Sequence, residues 1–144
     1  MKKIIFLILI FYNFSLSAAE KTKEEKVAKF IIENMQKDYI NCYSFYKVSA
    51  ETFKKIKKEN EIINGLEKSA DITLKFNYDL GEVLGISTET MAKTTKNKVE
   101  TFSKMAKKNF PSLANKYGLM CKNLVENQKQ RISYWEVKGN KRFK

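Results

Sequence analysis

Cys42 and Cys121 are the only thiols in a chain of 144 residues that contains no histidine. Those two facts bound the chemistry. Triads and dyads that need an imidazole base have no candidate here, and two thiolates without histidine would need carboxylate company to hold zinc. The cysteines stand far apart and in no C-x-x-C arrangement, so no neighbouring thiol is available to resolve a mixed disulfide. They read instead as one structural disulfide in an exported chain. No nucleophile elbow, phosphate-cradling glycine loop or calcium loop appears. The acids Glu33, Asp38, Glu82 and Glu89 supply the residue types for paired-carboxylate chemistry, but surface solvation accounts for them. The chain is therefore expected to be non-enzymatic, with no catalytic residue, cofactor or metal.

Two other residue groups suggest binding. Tyr39, Tyr43 and Tyr46 recur at helical spacing beside an apolar stripe, and Trp135 lies next to Tyr134 later in the chain. Such rings carry a polar tip on a large apolar body, which suits either the edge of a core or a face for a partner. Tyr39, Tyr43, Tyr46 and Trp135 form the candidate binding face. The second group is basic: Lys93, Lys96, Lys104, Lys107 and Lys108 fall away from the apolar positions of their segment. The formal net charge is +12, and every basic residue except Arg131 and Arg142 is lysine. An anionic lipid or polysaccharide surface would complement such a face. Lysine usage in a chain also rich in asparagine and isoleucine offers a purely compositional origin for the charge. Nucleic acid is not expected, because arginine rather than lysine suits bidentate phosphate recognition.

The elements that must position these residues read as helices. Val27, Phe30, Ile31, Met35, Tyr39, Cys42, Phe45, Tyr46, Ala50, Phe53 and Ile56 recur at three- and four-residue steps, with no Gly or Pro among them. Ile62, Ile63, Leu66 and Ala70 open a second pattern. Residues 72–80 then alternate as a strand would, but the one other alternating run, Ile132 to Val137, is too distant for a hairpin, so helix is the reading here as well. Gly85, Ile86 and Ser87 stop that helix and cap the next. Gly81 and Gly85 are spaced to allow close packing. Met91, Thr95, Val99, Phe102, Ala106 and Phe110 mark the third helix, and Pro111 with Ser112 near the cap starts the fourth. Leu113, Tyr117, Cys121, Leu124 and Val125 are its buried side.

The expected fold is all-α: a compact up-down bundle of four main helices, with Cys42–Cys121 joining the first and last. One geometric problem arises. If the first helix runs straight to Lys58, Cys42 lies farther from that end of the bundle than Cys121 does, by roughly 10 Å at helical rise. Disulfide Cα atoms lie within about 7 Å of each other. A break near Ser49, with residues 49–58 folded over the bundle end, would remove the mismatch.

At the N-terminus, Lys2 and Lys3, an apolar run from Ile4 to Tyr12, and Ser17-Ala18-Ala19 read as a secretory signal peptide cleaved after Ala19. The domains expected are a signal peptide at 1–19, one helical domain at 20–136 with Glu20 to Lys26 as a frayed lead-in, and a basic flexible tail at 137–144. The mature chain is expected to be periplasmic or secreted. Its expected role is that of a protein-interaction module, an accessory factor, inhibitor or chaperone-like protein with another envelope or secreted protein as partner. The alternative is a cationic module for an anionic membrane or cell-wall surface.

Overall fold

The computed structural model describes residues 22–144, so the expected signal segment, Met1 to Ala19, lies outside the described residues. Helix α1 spans Lys23–Lys55, α2 Asn60–Val83, α3 Thr88–Glu126 and α4 Gln128–Arg142. No strand occurs among the described residues.

Helix α1 begins inside the expected lead-in, because Thr22 and Glu25 close a capping box. Thr22 Oγ1 accepts from the Glu25 N–H at 3.3 Å, and Glu25 Oε2 accepts from the Thr22 N–H at 3.1 Å. Two otherwise unpaired amides are thereby satisfied. The apolar stripe then buries Val27, Met35, Tyr39, Cys42, Phe45, Tyr46 and Ala50. Burial extends past that stripe to Asp38, Ser44, Val48 and Ser49, since α1 packs against all three other helices. It is the central rod of the bundle.

Residues 72–80 are helical. The buried positions of α2 are Ile63, Ala70, Thr73, Asn77 and Gly81, which follow the helical period and include two polar residues. Thr73 Oγ1 donates back to carbonyls of its own helix. Asn77 Oδ1 accepts from Gln36 Nε2 at 2.7 Å, and its Nδ2 donates to Thr95 Oγ1 at 3.2 Å. A satisfied amide thus fills the polar gap in the stripe, linking α1, α2 and α3. After Val83 the Ile86 and Gly85 amides donate to the Gly81 and Glu82 carbonyls, with Gly85 at φ +71°. This is the helix-ending motif that favours glycine. Gly81 lets the Met91 side chain pack where a Cβ would stand.

Helix α3 is one element in name and two rods in space. Asn109 leaves the helical region (φ −162°, ψ 89°), and the rings of Phe102 and Tyr117, on either side of it, lie 4.6 Å apart. A continuous helix would separate those residues by roughly 22 Å, so the chain reverses at Asn109. The cap is Asn109, whose Oδ1 accepts from the Ser112 N–H at 3.0 Å. Pro111 falls in the first turn, where its missing N–H leaves no bond unmade.

The arm at residues 110–126 descends along α1: Phe110 meets Phe53, Gly118 faces Phe45, and Cys121 bonds Cys42. After a jog at Asn127 (φ −143°, ψ 67°), α4 continues the descent, with Gln128 on Tyr39 and Arg131 on Asp38. Arm and α4 together form the last rod. The bundle thus has four main rods, and the disulfide joins the first to the last, with a Cα separation of 5.2 Å.

Two expectations are corrected. Ser49 is no break: α1 runs through it to Lys55 and buries it. The register works because the turn at Asn109 stands level with Phe53 rather than with Lys58, leaving the α1–α2 tip to project beyond it, exposed from Lys54 to Ile62. The tail from Val137 continues as helix to Arg142. Gly139 is buried there, and a Cβ on it would fall 3.1 Å from Val27 Cγ1 and 3.2 Å from Phe30 Cδ1. The ring of Phe143 also packs edge-on against Phe30. Close approach at a glycine ties this segment down.

Candidate functional site

The last rod carries the most exposed apolar surface beside a fixed polar floor. Asp38, buried on α1, accepts from Arg131 Nε at 2.7 Å and Nη2 at 3.0 Å, and from Trp135 Nε1 at 2.6 Å. A buried carboxylate needs such partners, and the two-pronged guanidinium contact is the form that arginine, not lysine, provides. The Arg131 guanidinium also lies 4.5 Å from the ring centre of Tyr134 and 4.9 Å from that of Trp135. The two rings meet edge to face at 4.9 Å. Tyr39 is drawn into the same cluster by a hydrogen bond from Gln128 Nε2 at 2.7 Å.

Beside Arg131 opens a shallow cleft, bordered also by Leu119, Met120, Asn123, Gln130 and Tyr134. Leu119 is 70% exposed, Tyr134 44% and Val137, one turn beyond Tyr134, 68%. Side chains three apart on a helix share a face, so the apolar exposure of Tyr134 continues to Val137. Leu119 joins them across the jog at Asn127.

The candidate aromatic residues do not gather on one open face. Tyr39 and Tyr46 are in the core, Tyr43 is half-buried, and Trp135 is half-buried with its N–H on Asp38. Tyr39 stacks on Phe76 at 5.0 Å. Burial pushes the Tyr39 phenol well above its ordinary range, and Tyr46 up to about 12, with Glu126 adding to the shift of Tyr46. Tyr43 is raised as well, first by desolvation and then by Asp71 and other acidic neighbours. The outward-facing ring is Tyr134, which sequence reasoning passed over in favour of Trp135. Arginine at 131, in a chain whose other cations are almost all lysine, was the available signal for a buried carboxylate partner.

The basic candidates Lys93, Lys96, Lys104, Lys107 and Lys108 are all exposed on the first arm of α3. They do not make one patch, since residues 93 and 108 are about 22 Å apart along a helix. Lys104, Lys107 and Lys108 lie toward the Asn109 turn, whereas Lys93 and Lys96 lie toward Gly85. The four acids are dispersed too: Asp38 is held by Arg131, and Glu33 pairs with Lys29 on the surface. Glu82 and Glu89 are exposed on either side of the α2–α3 turn. No group of three or more metal-ligating side chains is assembled among the described residues, and no helix there is long and apolar enough to cross a membrane.

The chain matches no protein-family model, no curated protein and no solved structure. Its functional reading therefore rests on its own geometry.

Proposed function

We propose that this is an exported, non-enzymatic interaction module that holds another protein against the outward face of its last helical rod. The observation that carries the reading is the apolar exposure of Leu119, Tyr134 and Val137 beside a floor fixed by the Asp38–Arg131–Trp135 hydrogen bonds. A rigid floor lowers the ordering cost of binding, and an aromatic ring beside an arginine is a frequent anchor of protein interfaces. The Cys42–Cys121 bond suits an oxidising compartment, which agrees with the signal-peptide pattern at the N-terminus. Recovery of the tagged protein from its own cell envelope, washed at low and at high salt, tests the reading. A defined protein partner retained at both salts by the native chain, and lost from a Leu119→Asp, Tyr134→Ala variant, is the expected result. A partner retained equally by the variant would remove this face from consideration.

A further inference from the structure

We propose that the projecting tip of the α1–α2 hairpin, with the Asn109 turn beside it, is a docking end for an anionic phospholipid bilayer. The lysines that sequence reading scattered over one long face are partly reassembled here by the fold. The end of α1 and the turn after it read Lys54-Lys55-Ile56-Lys57-Lys58, and all five residues are exposed. The contact between Phe53 and Phe110, with ring centres 5.6 Å apart, brings the Asn109 turn alongside, and with it the end of the α3 arm that carries Lys104, Lys107 and Lys108. Lys54 is engaged by Glu67. Lys55, Lys57, Lys58, Lys104, Lys107 and Lys108 make no ion pair among the described residues, and the exposed acids near them are Glu51, Glu59, Glu61 and Glu100, the last one turn before Lys104. Positive charge prevails at this end.

One further observation points to lipid rather than to a soluble polyanion. Ile56 is 58% exposed and Ile62 42% exposed, so apolar side chains stand among the cations at the outermost point of the hairpin. That mixture suits a headgroup boundary, where lysines meet phosphates and an isoleucine enters the acyl edge. A purely anionic polymer would leave the isoleucines without a partner. The backbone adds one more cation to this end. Lys57 closes α1 at φ +53°, with the Lys57 and Lys58 amides donating to the Lys54 and Phe53 carbonyls. Glycine fits that left-handed position better, and a lysine there costs on the order of 1 kcal/mol. The chain bears a local strain and presents one more cation at its tip. No spanning helix is required, since the contact is peripheral.

This inference is independent of the partner face on the last rod, and the variants that test it leave that face untouched. The chain from Glu20 to Lys144, oxidised, would be sedimented with vesicles of phosphatidylcholine alone and of phosphatidylcholine with phosphatidylglycerol. Binding to the mixed vesicles only, weakened by added salt, is expected. Neutralising Lys55, Lys57 and Lys58 to Gln should weaken it on the order of 100-fold, at about fivefold per lysine. Ile56→Ser should weaken it roughly tenfold. Neutralising Lys93, Lys96 and Lys98, on the α3 arm toward Gly85, removes the same total charge elsewhere and should change binding by no more than a few-fold. Equal losses from the two triple variants would show a response to total charge alone and overturn the proposal. So would equal binding to neutral vesicles, binding only to a soluble anionic polysaccharide, or no binding at all.

Discussion

Asp38 on α1 and Arg131 on α4 lie across the bundle from each other, joined by two parallel hydrogen bonds of 2.7 and 3.0 Å. This pair fixes the short last helix, whose one fully buried residue is Gly139. Removing the charge at 38 while keeping its shape leaves a partly buried guanidinium without its counter-ion. Asp38→Asn should therefore lower unfolding free energy by about 2–3 kcal/mol, below the range for fully buried pairs because Arg131 keeps some contact with water. Urea unfolding followed by Trp135 fluorescence checks the value, and the emission of the folded variant should shift as the indole loses its carboxylate partner.

Gly139 supplies a second test of how α4 is held. A side chain there must displace Val27 or Phe30, so Gly139→Leu should destabilise by about 1–3 kcal/mol despite its better helix propensity. Hydrogen exchange should localise the loosening to residues 128–142, with α2 keeping its protection.

Reduction of Cys42–Cys121 opens a long loop. The expected loss is about 2–5 kcal/mol, measured as the difference between oxidised and reduced unfolding midpoints, with the Cys42→Ser, Cys121→Ser variant matching the reduced protein.

Alkaline pH gives a fourth test, this one of the core. Burial raises the phenols of Tyr39 and Tyr46, the latter to about 12. The unfolded chain releases those protons near pH 10, while the folded chain holds them. Stability from this source is therefore fully present below about pH 10 and declines as pH rises toward the folded values. Phenolate absorbance should show two tyrosines ionising together with unfolding rather than before it, and titration of both in the ordinary range with the fold intact would contradict the burial.

Much of the architecture was legible in the chain. The Cys42 stripe, the Gly85–Ser87 punctuation and Pro111 each act through local physics, namely helical periodicity, a left-handed stop and a missing N–H. Register was not legible. Whether the Asn109 turn stands level with Lys58 or with Phe53 depends on how two rods slide past each other, and the contact between Phe53 and Phe110 decides it. The site was legible only in part for a related reason. Asp38, Asn77 and Tyr39 have residue types that usually reach water, and long-range partners at 131, 95 and 128 are what allow each to be buried. Gly139 resembles a tail residue until Val27 is placed beside it.

Site-specific photo-crosslinking in the native cell envelope tests the central claim most directly. A crosslinking amino acid at 134 should yield a discrete protein adduct that disappears when Leu119→Asp is added, whereas the same probe at exposed Lys93 on α3 should yield none. Absence of an adduct at 134, or an indistinguishable adduct at both positions, would contradict the assignment of the last rod as the partner-binding face.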